Sequence, residues 1–338
     1  MKKVTVGVIG AGNIGKLHIN NLKRNKNVRI KMVSDLFADK LEKWFADSGV
    51  EEITKEYNDI LNDEEIDTVF ICSPTNTHAT LIKEAASKGK NIFCEKPISF
   101  SDDETLEAYK TVEEAGVKFQ VGFNRRFDKN FAEIRKRIGE NKVGDVHIIK
   151  ITSRDPNPPN LDYIETSGGL FFDMTIHDFD MARYLAESEV VEVFAQGTNL
   201  VNPEIGKKGD IDTAIITLKF ENGALGVIDN SREAVYGYDQ RIEVFGNGGA
   251  IVADNETPTN LKYYHKNAVE TDNPLHFFLE RYNGSFISET EQFVESILNG
   301  NETKVVFNDG IMAQRIAQAA KESYESQRPV KVDNEIGG

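Results

Sequence analysis

The chain has 338 residues, of which 39% are hydrophobic and 28% charged, with a formal net charge of -15. This length exceeds what one hydrophobic core usually organises and points to two domains, and the composition is that of an ordinary globular protein. The acidic balance, with no basic run denser than Arg135-Lys136-Arg137, argues against a nucleic-acid partner, and no apolar run approaches membrane-spanning length.

The amino-terminal MKKVTVGVIG passes straight into an apolar run with no secretory leader, so a cytoplasmic location is the expectation. VTVGVIG reads as a parallel strand buried on both faces. Ile14, Leu17, Ile19 and Leu22 then recur at helical spacing. Further strands follow at 28–35, 66–73, 91–97 and 118–123, separated by helices at 38–49, ended by Gly49, at 79–87, and from Ser101-Asp102 onward. This alternation predicts an α/β domain over 1–123, a parallel sheet wound on both faces by helices. Cys72 and Cys94 each close an apolar run and read as buried thiols, too few for a disulfide framework or a zinc motif.

Beyond about residue 124 strands follow one another directly, at 146–153, 190–197, 212–220, 224–231 and 240–254, with hairpin signals at Asn222-Gly223 and Asn247-Gly248. A helix at 170–185 interrupts them, and two more, near 286–298 and 309–325, close the chain. The expectation for 124–338 is an α+β domain on an open, mostly antiparallel sheet, whose uncovered face favours an oligomer.

Gly10, Gly12 and Gly15 form G-x-G-x-x-G between the first strand and its helix, and Asp35 ends the next strand. In that setting the first glycine allows the tight turn, the second lets a pyrophosphate approach the backbone and the third lets helix and strand pack closely. Asn13 and Ile14 complete a loop whose amides face the phosphates. Asp35 accepts from ribose hydroxyls and repels a 2′-phosphate, which favours NAD over NADP; a purely structural turn is the competing reading. SPTNTH, 73–78, lies where ligands bind in such sheets, and Ser73, Thr75, Asn76 and His78 are either cofactor contacts or simply a loop and helix cap.

Lys96, in Glu95-Lys96-Pro97, closes the fourth apolar strand. An ammonium there can hold a developing alkoxide, although most lysines are solvated surface charges. Asp173 and His177 stand four apart, on one face of a helix, so the carboxylate can orient an imidazole acting as general base. A surface histidine satisfied by its neighbour, or a metal bound by Asp173, His177, Asp178 or Asp180, is the alternative; one imidazole among scattered carboxylates is a poor zinc set, and no metal is expected.

GAGNIGKLH, SPTNTH, CEKP and the GGxxxDxxxHDxD pattern of 168–180, in that order, resemble the glucose–fructose oxidoreductase / inositol dehydrogenase (Gfo/Idh/MocA) family over nearly the whole chain. The resemblance implies a Rossmann domain followed by an α+β domain, often packed sheet to sheet in a dimer or tetramer. It further implies Lys96, Asp173 and His177 as the catalytic set, with the SPTNTH loop, Glu95 and Lys96 as cofactor neighbours. VGFNRRFD, SRDPNPP and YGYDQRIEVFGNGG look like the inositol 2-dehydrogenase branch, which implies NAD-dependent oxidation of a cyclic polyol bordered by Arg126, Asp155 and Tyr236, with Tyr282 a weaker candidate. An ion-pair role for Arg126 and a turn position for Tyr236 compete with that assignment. Ser153 stands where such enzymes often carry histidine, which leaves the inositol isomer open. An aldose or sugar-acid dehydrogenase and a non-enzymatic NAD-binding regulator are the rival functions.

Overall fold

The computed structural model describes residues 3–335. The chain forms two compact units, the first comprising residues up to Asn124 together with Ser285–Gln314, the second Arg125–Gly284 with the residues from Arg315 onward. A single break at 123/124 therefore misses the return of the chain to the first unit. The cause is packing: Phe293 and Val294, on the helix Asn283–Asn299, join the core built by Val4, Val6, Val8, Ile19, Leu22, Phe70 and Phe93.

The first unit holds β1 (Val4–Ile9), β2 (Val28–Ser34), β3 (Glu52–Thr54), β4 (Thr68–Ile71), β5 (Asn91–Cys94) and β6 (Phe119–Val121). They lie in the order β3-β2-β1-β4-β5-β6 with every pair parallel. Every residue of β1 is buried, as a central parallel strand requires. In this unit β3 and the helix Tyr57–Asn62 have no counterpart among the expected elements. β3 is a three-residue, half-exposed edge strand, too short for a period-2 pattern. The helix expected over 38–49 is a 3-10 turn, Ala38–Lys40, followed by Glu42–Ser48, and Gly49 ends it at φ 76°. The helix Asp102–Ala115 starts on the Ser101 hydroxyl, which accepts from the Glu104 amide, with three acids in its first turn and Gly116 at φ 63° as its end.

The second unit adds β7 (Val146–Arg154), β8 (Val190–Thr198), β9 (Thr213–Phe220), β10 (Leu225–Ser231), β11 (Asp239–Gly246), β12 (Gly249–Ala253), a separate ribbon of β13 (Lys262–His265) and β14 (Ala268–Thr271), and the short β15 (Val330–Lys331). The large sheet runs β12-β11-β7-β10-β9-β8-β15; only β7 and β10 pair in parallel. The run 240–254 is a hairpin turning at Asn247-Gly248, and Asn222-Gly223 turns β9 into β10 with Gly223 at φ 89°. The helix expected at 170–185 begins as a π-helical turn, Phe171–Thr175, and continues as an α-helix, Ile176–Ala186. Among the described residues no helix is long and apolar enough to cross a membrane.

Candidate active site

The turn after β1 requires glycine at two of its positions, Gly10 and Gly15. Gly10 has φ 95°, and a Cβ there would lie 2.7 Å from the Cys72 carbonyl and the Ser73 amide nitrogen. A Cβ on Gly15 would lie 2.0 Å from the Gly10 carbonyl oxygen, so the helix Asn13–Arg24 rests directly on the turn. At Gly12 a Cβ would meet nothing within 4 Å, and Gly12 begins the helix with no side-chain cap. Uncapped helical amides facing open space are an anion site. Asp35 is pinned beside this loop: Ala11 N–H donates to its Oδ2 at 2.8 Å and Phe37 N–H to its Oδ1 at 2.8 Å. Each oxygen keeps a lone pair for a ribose hydroxyl. This donor and acceptor set fits NAD.

Behind β4, the Ser73 and Thr77 hydroxyls pair at 2.6 Å around the 3-10 turn Thr75–Thr77, with Thr75 half-buried and Asn76 exposed. His78 does not share their exposure. It is 1% exposed, and its two ring nitrogens face the carbonyl oxygens of Pro97 and Ser73, each at 2.8 Å. The expectation of a cofactor contact there gives way to a buried bridge, because both polar atoms are already engaged. Glu95, also expected beside the cofactor, accepts from His18 Nε2 at 2.7 Å. Lys96 follows, half-buried, with a cis bond to Pro97.

Two polar networks organise the second unit. In one, the half-buried Asp173 carboxylate accepts from Tyr163 Oη at 2.9 Å on Oδ1 and from Arg232 Nη1 at 2.9 Å on Oδ2. Asp155 lies 3.9 Å and Asp210 3.8 Å from the same guanidinium, whose side chain is 2% exposed. Burial would lower the Arg232 pKa, but Asp173 and Asp155 hold it charged. Burial pushes Asp155 up to about 7, against the pull of Arg232 and with the charge of Asp173 adding to the rise. His177 is half-buried on the α-helical continuation of the Asp173 turn. In the other network Asp178 takes Arg125 Nη1 at 2.5 Å and Asn230 Nδ2 at 2.9 Å, while Ser153, fully buried, meets Arg125 and Gln240. Tyr282 donates to Gln240 at 3.1 Å from within this core.

The structure thus gathers Asp155 and Asp173 around one arginine, and gives Arg126 and Tyr236 partners of their own. Arg126 donates to Asp180 from Nε at 2.9 Å and Nη2 at 2.6 Å, with its guanidinium 4.9 Å over the Tyr184 ring, the ion-pair role that competed at the sequence level. Tyr236 donates to Asp239 at 2.6 Å and accepts from Arg154 at 3.1 Å, in the connection before β11. Arg232 and Tyr163 were not singled out from sequence. A sequence signal existed for the Asp178 network in β10, where inward register falls on Ile228 and then on the polar Asn230, two residues before Arg232. Among the described residues no group of three or more His, Cys, Asp or Glu is placed to hold a metal ion.

Residues 4–123 match the family described as "Oxidoreductase family, NAD-binding Rossmann fold", and residues 131–252 match the "GFO/IDH/MocA C-terminal domain". The chain is 54% identical over 333 residues to an uncharacterised oxidoreductase, YrbE, of Bacillus subtilis, covering 98% of each chain. It is 46% identical to a myo-inositol 2-dehydrogenase of Thermotoga maritima, covering 98% of this chain and 99% of that protein. A solved scyllo-inositol dehydrogenase of Lactobacillus casei, with bound NAD(H) and scyllo-inositol, superposes with a TM-score of 0.91 at 29% identity, covering 98% of this chain and 99% of that one. The glycine loop, the pinned Asp35 and these likenesses lead to one conclusion: the chain belongs to the GFO/IDH/MocA oxidoreductase family and is an NAD-dependent oxidoreductase.

Proposed function

We propose that the protein oxidises one ring hydroxyl of an inositol, myo or scyllo, to the inosose. Likeness to inositol dehydrogenases over nearly the whole chain supports the substrate class. The observation that carries the chemistry is the setting of Asp173, whose two oxygens are occupied by Tyr163 and Arg232 four residues before His177. NAD, when bound, supplies the hydride acceptor at nicotinamide C4. His177 removes the hydroxyl proton, and Asp173, fixed in orientation, holds the imidazole in place and stabilises its charged form. Lys96 donates to the reacting oxygen and balances its developing charge. Asp155, poised between acid and carboxylate, meets a second hydroxyl as donor or acceptor. A polyol lacking that hydroxyl leaves the carboxyl unpaired, which is how such a pocket discriminates. Arg126, paired with Asp180, and Tyr236, hydrogen-bonded to Asp239, are further candidates to meet the polyol's hydroxyls.

Purified protein is to be assayed for NADH appearance on myo-inositol, scyllo-inositol, glucose and other aldoses, with NAD and NADP side by side. Turnover of an inositol with NAD is the expected result, and preferential oxidation of an aldose would replace the substrate assignment. Lys96→Ala and His177→Ala should each lower kcat by about 10² to 10⁴ while NAD still binds. Full activity in either variant removes that residue from the mechanism. We also propose that the protein is a homo-oligomer in which a second copy covers the open face of the large sheet, since Ile148, Ile215, Leu225, Phe245 and Val252 all stand exposed on the second unit.

A further inference from the structure

Two buried histidines that the chemistry above does not use flank Glu95-Lys96-Pro97. His18, on the glycine-loop helix Asn13–Arg24, is fully buried, and its Nε2 donates to Glu95 Oε1 at 2.7 Å. Its ring stands edge-on to Phe93, centroids 4.8 Å apart, and to Phe286 at 5.9 Å, which fixes the ring plane. The Thr290 hydroxyl lies 3.4 Å from its other nitrogen. Glu95 in turn is packed against Gly122, where a Cβ would come within 3.0 Å of its Oε2.

On the other side of the lysine, the His78 ring spans the Pro97 and Ser73 carbonyl oxygens. The ring donates to both only when doubly protonated; neutral, it donates to one. Burial pulls its affinity for the second proton down, the two carbonyls and Glu95 push it up, and Lys96 pulls it down. The residue before Lys96 is therefore tied to the helix that follows the glycine loop. The residue after it is tied to the loop that begins at Ser73.

We propose that His18 and His78 are positioning residues for Lys96, setting the ammonium from the same two segments that hold the dinucleotide. The proposal rests on the role given to Lys96 above. A merely structural histidine would behave differently, because its loss would weaken the fold whether or not residue 96 is lysine. A positioning histidine acts through the lysine, and its effect vanishes when the lysine is gone.

The test is a double-mutant cycle on the full chain with NAD and the polyol that the substrate panel identifies. His18→Gln and His78→Gln are each made alone and with Lys96→Ala, and single-turnover NADH formation, NAD affinity and thermal melting are measured. Glutamine retains a donor for one partner and keeps the cavity filled. Each single variant should lose rate by about tenfold to 10²-fold, as expected when a catalytic group is misplaced by about 1 Å, with folded NAD binding preserved. In the Lys96→Ala background the same substitutions should cost less than about twofold. Should a histidine variant fail to fold, Glu95→Ala removes the His18 contact from the other end and should show the same dependence on Lys96. Equal losses in both backgrounds, or no loss in the presence of Lys96, would overturn the proposal. Full rate in Lys96→Ala alone would instead overturn the role of the lysine, and the positioning role with it.

Discussion

Two carboxyl groups sit well above the ordinary carboxylate range, and burial is the first cause for both. Glu289 is fully buried, neither carboxyl oxygen has a hydrogen-bond partner, and the charge of Glu95 adds to the rise from its usual 4.5. A folded pKa above the unfolded one means that the folded state holds an extra proton, so the stability it contributes is complete below 4.5 and falls as pH rises toward the folded value. Glu289→Gln abolishes that dependence. Relative to the wild type it should gain about 1.4 kcal/mol per pH unit above the unfolded carboxyl pKa, until Glu289 itself ionises. Urea unfolding at about pH 5 and about pH 7.5 measures this, and a gain independent of pH would show that Glu289 does not carry the proton. Asp155, pushed up to about 7, changes charge within the working range. Asp155→Asn should lower kcat/KM about tenfold on the alkaline side, the cost of losing one buried acceptor, and should remove an inflection near neutrality from the pH profile. If the inflection persists, another group titrates there.

At the scale of elements, the glycine loop separates folding from binding position by position. Gly10→Ala places a Cβ against the Cys72 backbone at φ 95° and should lower stability by about 1 to 3 kcal/mol, the usual cost of backbone strain. Gly12→Ala meets open space at an ordinary φ of -67°, so melting of the free protein should shift little. NAD affinity in Gly12→Ala should nevertheless fall at least about tenfold, because the methyl stands where the pyrophosphate approaches. Unchanged NAD binding in Gly12→Ala would move the phosphate site elsewhere. This loop was legible from sequence because its three glycines and helix start are contiguous and its acid falls at a fixed place, the end of the next strand. The Arg232 cluster was not, since Tyr163, Asp173, Asp210 and Arg232 come from four separate segments and meet only after the sheet has formed.

For the molecule as a whole, the open face of the second unit's sheet is the feature left unexplained by a single chain. Inward register buries Ala214, Ile216, Leu218 and Phe220 of β9, while Ile215 is 48% exposed and Leu225 of β10 is 53% exposed. A depression of about 320 Å³ on this face is lined by Ile148, Phe194 and Leu225, among others. Ile215→Asp with Leu225→Asp should leave the chain folded, as exposed positions usually change stability by less than about 0.5 kcal/mol. The same pair should convert an oligomer into a smaller species in light scattering after gel filtration. A wild-type protein already monomeric at working concentration would refute the assembly.

The longer strands and helices, the glycine loop, Asp35 and the lysine and histidine motifs could be read from residues alone, because hydrophobic period and turn chemistry act over a few neighbours; short elements such as β3, β13–β15 and the helices Tyr57–Asn62, Leu161–Thr166 and Pro203–Lys207 hold too few residues to show a period. Tertiary structure decided what those motifs touch. It turned His78 from a cofactor contact into a bridge between two carbonyls, committed Arg126 to Asp180, built an arginine centre for Asp173 and returned the helix Asn283–Asn299 to the first core. The reason is that a polar side chain's partner is set by whichever donor or acceptor shares its burial, and burial is a property of the assembled layers rather than of spacing along the chain.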